Sequence, residues 1–279
     1  MKLEQFFSSN LIRDCSSEIV EISTHDPLTH QHEVPQLKKP EENPMRILHT
    51  ADWHIGQTLN GWSREYEHGA FFESVRDVIV TERIDVLLIA GDVFDGINPS
   101  GEAQRLLYAA IAGFLRVNPK LQIVMTAGNH DPAQRLEAPE ALLKALGVHV
   151  LGTLRRGAGG VDIDRHLIPL SDSTGAVRAH VLAVPFLRQA DLPGLQLGAV
   201  GGAEPAVTAA VRALHLAMSD AAKVHAGGLP IIAMGHLTCA GGLESEGAER
   251  RILIGGEHAY SATIRMRRRI ASPKSVPGE

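Results

Sequence analysis

Two cysteines in 279 residues, Cys15 and Cys239, are too few to build a disulfide framework, and neither has a metal-type partner spacing. A broad basic surface is lacking as well. The 27 Lys and Arg stand against 32 Asp and Glu, a formal net charge of -5, which excludes nucleic-acid binding through bulk positive charge. No apolar run approaches the roughly 18 residues of a membrane-spanning helix, and the amino terminus has no apolar signal core. These absences point to a reducing, cytoplasmic setting. They also mean that a polyanionic substrate would have to be held by local features, for which bound divalent cations would serve. The hydrophobic content of 44% supplies an ample core for one large α/β domain or two small ones.

Residues 1–44 are mostly polar, mix both charge signs and carry His25, His30, His32 and several prolines, so a poorly ordered leader is expected there. Met45 directly precedes the first strong strand, Arg46 to Ala51, and is a plausible native start. Beyond it, strand-like and helix-like segments alternate. Ser63 stands as an N-cap before Ala70, Phe71, Val75, Val78 and Ile79 at helical spacing. Val86 to Ala90 reads as a buried strand, and Glu102 to Val117 as a helix stopped by Asn118-Pro119. Further strands are expected at Gln122 to Ala127, Val148 to Leu151, Val177 to Pro185 and Pro230 to Met234, with helices at Pro139 to Leu146 and Glu204 to His225. Such alternation implies an α/β architecture with at least partly parallel pairing.

Short polar motifs fall just past the carboxyl ends of these strands: Asp52-Trp53-His54, Gly91-Asp92-Val93-Phe94-Asp95, Gly128-Asn129-His130-Asp131 and Gly235-His236. That is where α/β sheets place ligands, so segments far apart in sequence would converge on one edge. Asp52 and His54 alternate, and an extended backbone would point both to one side to grip a single ion. Asp92 follows an apolar run, where a buried carboxylate must be paired or metal-bound; one oxygen to each of two cations is its natural role. Asn129 offers an amide oxygen, aimed by the turn that Gly128 permits, and His236 an imidazole. His130 sits beside a ligand without needing to be one, and is suited to donate a proton to a leaving alkoxide, with Asp95 orienting it. Asp131 reads as a buttress of its turn. His49, His68, His149, His180, His215 and His225 read as core or surface residues.

These motifs resemble those of the calcineurin-like metallophosphoesterase superfamily: Asp-x-His, Gly-Asp-x-x-Asp, Gly-Asn-His-Asp/Glu, Gly-His and Gly-x-His. Longer stretches resemble the SbcD family of nucleases within it. They are Ile47 to Gln57, Ser63-Arg64-Glu65 with Glu67-His68, Ala90 to Asp95, Ala127 to Asp131, Pro185-Phe186-Leu187-Arg188 and Met234 to Thr238. The resemblance implies an α/β/β/α sandwich over residues 45–264. It implies two divalent ions, manganese with magnesium as the alternative, one held by Asp52, His54 and Asp92 and the other by Asp92, Asn129 and His236. His130 would be the catalytic histidine and Asp95 its partner. The implied activities are double-strand exonuclease and single-strand endonuclease cleavage of DNA, alongside an SbcC-like ATPase and as a homodimer within a heterotetramer.

The chain departs from that family after Ile252 to His258, where a further strand and a Gly-His-x-His motif would follow. It runs instead into Arg265-Met266-Arg267-Arg268-Arg269 and a tail, residues 265–279, that matches no family pattern. A shortened form, with a sandwich incomplete at its C-terminal side and weak or no activity, is therefore expected, with His258 as a conceivable substitute ligand. Two other readings stay open at this point: a small-substrate metallophosphoesterase, and a non-catalytic module binding DNA or a partner.

Overall fold

The computed structural model describes residues 17–22, 45–157, 160–192 and 206–238, together with the backbone of three short strands at 252–254, 257–259 and 261–262. Its central sheet has five strands in the order β1 (Ser17–Ile22), β2 (Met45–Thr50), β3 (Val86–Ala90), β4 (Gln122–Thr126) and β5 (Val148–Leu151). The pairs from β2 to β5 are parallel, whereas β1 is antiparallel to β2, with Ser17 opposite Thr50 and Ile22 opposite Met45. The segment expected to be a poorly ordered leader thus contributes an edge strand at Ser17–Ile22. The remainder of residues 1–44, with His25, His30 and His32, lies outside the described residues.

Every residue of β3 is buried, as an inner parallel strand covered on both faces requires. One face packs on helices α1 (Glu65–Thr81) and α2 (Gly101–Val117), through Phe71, Phe72, Val75, Ile79, Leu107, Ile111 and Phe114. Ser100 caps α2, its Oγ accepting from the Ala103 N–H at 3.1 Å, and Asn118 leaves the helix in an extended conformation just before Pro119. The start of α1 differs from expectation. Arg64, not Ser63, is the N-cap residue, and Ser63 Oγ instead accepts from the Glu65 N–H at 3.2 Å, one position farther out.

The other face of the central sheet packs on a second sheet, made of β6 (Leu167–Ser171), β7 (Val177–Val184) and β8 (Ile231–Gly235). The interior between the sheets is aliphatic: Ile47, Val86, Leu88 and Val124 from one meet Ile168, Leu170, Val181 and Met234 from the other. Behind the second sheet, Met218 and Ala222 of a long helix, Ala206–His225, pack on Leu167, Leu182 and Val184. Helix, sheet, sheet and helix layers make the α/β/β/α sandwich. β6 carried no sequence expectation; it pairs antiparallel with β7, while β7 and β8 are parallel. The helix expected at Pro139 to Leu146 is present as the short helix Glu140–Lys144, and another, Ala133–Glu137, precedes it where none was expected. No helix among the described residues is long and apolar enough to cross a membrane.

Candidate metal centre

The carboxyl ends of β2, β3 and β4 lie side by side because those strands are parallel neighbours, and β8 of the second sheet ends beside them. The turn after β2 is bonded to the turn after β3: Asp52 N–H donates to Gly91 O (3.1 Å), His54 N–H to Asp92 O (2.9 Å) and Ile55 N–H to Val93 O (2.9 Å). Asp52, His54 and Asp92 have φ of 58°, 47° and 49° and are three of the five non-glycine residues with positive φ among those described. The left-handed region is unfavourable for residues bearing a Cβ, though Asp and His enter it more readily than most. Its clustering here marks a place where the fold imposes geometry for a purpose other than stability. It also corrects the extended-strand reading of Asp52 and His54, whose convergence comes from two left-handed residues flanking Trp53. That indole is 1% exposed, donates to Thr50 Oγ1 at 3.0 Å and packs edge-on against Phe71 and Phe72. His68 of α1, expected to be a core or surface residue, is buried and bonds the Trp53 carbonyl through Nε2 at 2.9 Å, clamping the same turn.

Donor atoms of Asp52, His54 and Asp92 all lie within 4.8 Å of one another. His54 Nε2 is 4.0 Å from Asp52 Oδ1 and 3.8 Å from Asp92 Oδ2. Across the site, His236 Nε2 is 3.4 Å from Asp92 Oδ2 and 3.0 Å from Asn129 Oδ1. Asp92 is common to both groups, and its Oδ1 accepts from the His130 N–H at 2.9 Å. Glycines permit this crowding. A Cβ on Gly128 would stand 2.1 Å from Asp92 Oδ1, and one on Gly91 would stand 2.4 Å from His236 Nδ1. Gly128 is therefore required for close approach, and it has no positive φ, so tight turning is not its role.

The donor set is that of a cation site. His236 Nδ1–H donates to the Ala90 carbonyl at 3.0 Å, which leaves Nε2 as a lone pair aimed at two oxygens unless a proton or a metal lies between. The electrostatics agree. Burial opposes a charge on His236, but the Asp92 carboxylate, with Asp52 behind it, outweighs that and holds the imidazole up at about 9. Burial likewise opposes the Asp92 charge, and the hydrogen bonds and fields of His236, His130 and His54 bring its carboxyl below the usual range. A divalent ion answers the same negative potential with two charges, and the mixture of carboxylate, amide and imidazole donors suits a divalent metal.

His130 Nδ1 bonds the backbone carbonyl of Asp95 at 3.0 Å, while the Asp95 carboxylate lies 3.3 Å from His54 Nδ1. The structure thus pairs the Asp95 side chain with His54, where the sequence suggested His130; past Phe94 the chain bends so that Asp95 presents its carbonyl to one ring and its carboxylate to the other. His54 and His130 meet edge to face at 5.1 Å. Asp131 is the expected buttress: fully buried, its carboxylate accepts from the N–H groups of Gly128 (2.7 Å), Phe94 (2.8 Å) and Val93 (3.1 Å), tying two motifs together. Burial pushes its carboxyl up against the pull of those donors.

Arg188 had no assigned role in the sequence beyond marking a family resemblance. Its guanidinium donates to the carbonyls of Asp131 (3.0 Å) and Gly128 (3.3 Å), which bracket Asn129 and His130. It also lies 5.8 Å from the Phe186 ring, which packs edge-on toward His236 at 6.4 Å. His258, the conceivable substitute ligand, and the basic tail at 265–279 have side chains outside the described residues.

Residues 45–169 match the family model described as calcineurin-like phosphoesterase. The chain is 73% identical over 220 residues to the D subunit of the SbcCD nuclease of Rhodobacter capsulatus, covering 79% of this chain and 54% of that protein. It is 35% identical over 222 residues to the D subunit of the SbcCD nuclease of Escherichia coli K12, covering 78% and 52%. With the Bacillus subtilis counterpart the identity is 43% over 108 residues, 39% of this chain and 27% of that one. The chain spans about half the length of the first two. Sandwich, motif order and matches agree: residues 45–169 resemble a calcineurin-like phosphoesterase domain, and the chain is similar, over most of its length, to the D subunits of SbcCD nucleases.

Proposed function

We propose that this chain is the nuclease-bearing part of an SbcD-type protein, which hydrolyses phosphodiester bonds of DNA at two divalent cations, manganese in preference to magnesium. One observation supports this above all: donors from four separate loops meet, Asp52, His54 and His236 beside the carboxylate of Asp92 and Asn129 beside His236. Asp52, His54 and Asp92 would hold one ion, and Asp92, Asn129 and His236 the other. Such ions, when bound, neutralise charge on a phosphodiester and acidify a water. The remaining work falls to the chain's own groups. With Nδ1–H tied to the Asp95 carbonyl, His130 keeps Nε2 as its working nitrogen, which as imidazolium gives a proton to the departing alkoxide and stabilises charge on phosphate. Asp95, beside His54 Nδ1, orients that ligand and strengthens its basicity, as carboxylates behind metal-bound histidines do.

By its likeness to the SbcCD nucleases, the substrate is double-stranded DNA for exonuclease cleavage and single-stranded DNA for endonuclease cleavage. The partner is an SbcC-like ATPase, the assembly a homodimer within a heterotetramer, and the setting the cytoplasm. The test is a calorimetric manganese titration joined to a nuclease assay on linear duplex DNA, run on the parent and on Asp92→Ala. Two tight sites with cleavage by the parent would mean that the residues present complete the centre, one weak site without cleavage would mark the crippled form expected from the sequence, and Asp92→Ala should lose whatever metal the parent binds. Unchanged stoichiometry in Asp92→Ala would refute the shared carboxylate. DNA binding without metal and without cleavage by the parent would refute the nuclease and leave a binding module. Turnover of a chromogenic phosphodiester with DNA left intact would point to a small substrate.

A further inference from the structure

We propose that the hairpin following the first metal-binding turn is a stacking platform for unpaired nucleobases of the strand being cut, with Trp62 and Tyr66 as its aromatic faces; this rests on the nuclease reading above. The hairpin pairs Thr58–Leu59 with Trp62–Ser63 and reverses through Asn60 and Gly61, both left-handed at φ 50° and 84°, the conformation of a two-residue hairpin turn. Leu59 and Trp62 are direct cross-strand partners, so their side chains project from one face. Trp62 is 80% exposed, Tyr66 at the start of α1 is 84% exposed and Leu59 is 58% exposed. Tryptophan normally buries most of its surface, and Trp53, nine positions earlier, does so at 1% exposure. Three large apolar side chains held in water within eight positions mark an interaction surface rather than misplaced core.

Both ends of the hairpin are fastened to the segment that carries Asp52 and His54. Gln57 N–H donates to His54 O at 3.0 Å, Arg64 N–H to Gln57 O at 3.3 Å, and the Arg64 guanidinium bonds Gln57 Oε1. Farther on, His68 N–H returns to Arg64 O at 3.0 Å. The backbone that bears Trp62 and Tyr66 is therefore anchored to the metal turn. Leu59 lies five positions beyond His54, at most about 17 Å of extended chain, so the platform lies within a few nucleotides of a phosphate at the metal centre.

Charge distinguishes bases from phosphates as the occupant. Arg64 is outnumbered by Glu65 and Glu67 in the first turn of α1, so this rim is net negative and turns a phosphate backbone away from itself. The flat face of an unstacked base is uncharged and suits an exposed indole and phenol, and such stacking tolerates any base sequence. Bases become available in this way at a frayed duplex end or in a single strand, which are the substrates of the proposed reaction.

The two tryptophans make the test direct, because Trp53 is buried and quenching of intrinsic fluorescence reports on Trp62. A short oligothymidylate, added to the full chain with chelator present to prevent cleavage, should quench fluorescence saturably. Trp62→Ala should abolish that quenching and weaken binding of a labelled oligothymidylate about tenfold, with a smaller loss for Tyr66→Ala. Binding of a blunt duplex should change little. Circular dichroism should show both variants folded, since neither side chain is packed. Absence of quenching in the parent, or equal oligothymidylate binding by Trp62→Ala, overturns the platform. A drop in molecular mass of Trp62→Ala by light scattering also overturns it, assigning the hairpin to a contact between copies. If the parent cleaves DNA while Trp62→Ala binds like the parent, the platform alone fails; a parent that neither binds nor cleaves DNA takes the nuclease reading down as well.

Discussion

Gly128→Ala is the substitution on which the geometry of the centre makes its sharpest demand. The added methyl would stand 2.1 Å from Asp92 Oδ1, 2.3 Å from the Asp92 backbone nitrogen and 2.8 Å from Asp92 Cγ. Rotating the carboxylate relieves at most part of this, because the backbone nitrogen is fixed by the turn after β3. Moving Oδ1 also breaks its 2.9 Å bond from the His130 N–H, in a site where Asp92 is only 3% exposed. Overpacking costs about 1–3 kcal/mol, and losing a buried hydrogen bond to a charged group about 1.5–3 kcal/mol more. The sum, roughly 3–6 kcal/mol, is a large part of the 5–15 kcal/mol typical of a domain. Chemical denaturation in chelator measures it, and a manganese titration of the folded fraction should show both sites lost. Gly113→Ala is the control: it lies in helix α2 with nothing within 4 Å of its Cβ position, so it should be neutral or stabilise by up to about 1 kcal/mol. A Gly128→Ala protein as stable as its parent, still binding two ions, would refute the close approach of the two turns.

Metal-free protein should lose stability as pH rises from 6.5 toward 9. His236 has its folded value raised to about 9 from 6.5, so its contribution is complete below 6.5 and disappears as pH climbs through 9. The loss is on the order of 3 kcal/mol and should vanish in Asp92→Asn; denaturation in chelator at pH 6 and pH 9 checks it, and stability rising over that window would contradict it. Arg188→Ala should weaken manganese binding about tenfold through the Asn129 turn while leaving the sandwich folded, and Arg188→Lys should restore part of it, since both bonds leave the single Nη2 and an ammonium also carries enough donors for two carbonyls. Calorimetry separates the outcomes, and unchanged affinity in Arg188→Ala would deny the strap a role.

Legibility differed between the parts of this molecule for identifiable reasons. Buried strands such as Val86–Ala90 and the amphipathic helix Gly101–Val117 announce themselves through hydrophobic pattern and caps, which are local properties. Strand Leu167–Ser171 contains Pro169, which argues against a strand, and is held by its antiparallel partner Val177–Val184, so nothing local marked it. Ser17–Ile22 forms its ladder only against Met45–Thr50, across more than twenty intervening residues, and its polar surroundings read as leader.

Residue identity alone determined which donors this chain can offer: Asp, His and Asn at strand ends suit cations, and their order resembles that of metallophosphoesterases. Tertiary structure decided how those groups are aimed. The left-handed turns at Asp52, His54 and Asp92, the Asp95 carboxylate turned to His54 in place of His130, and the clamp of Arg188 on the Asn129 turn all depend on contacts between segments remote in sequence. Composition records which donors are available, whereas direction is a property of packed backbones, and only the assembled sandwich brings the ends of β2, β3, β4 and β8 to one edge.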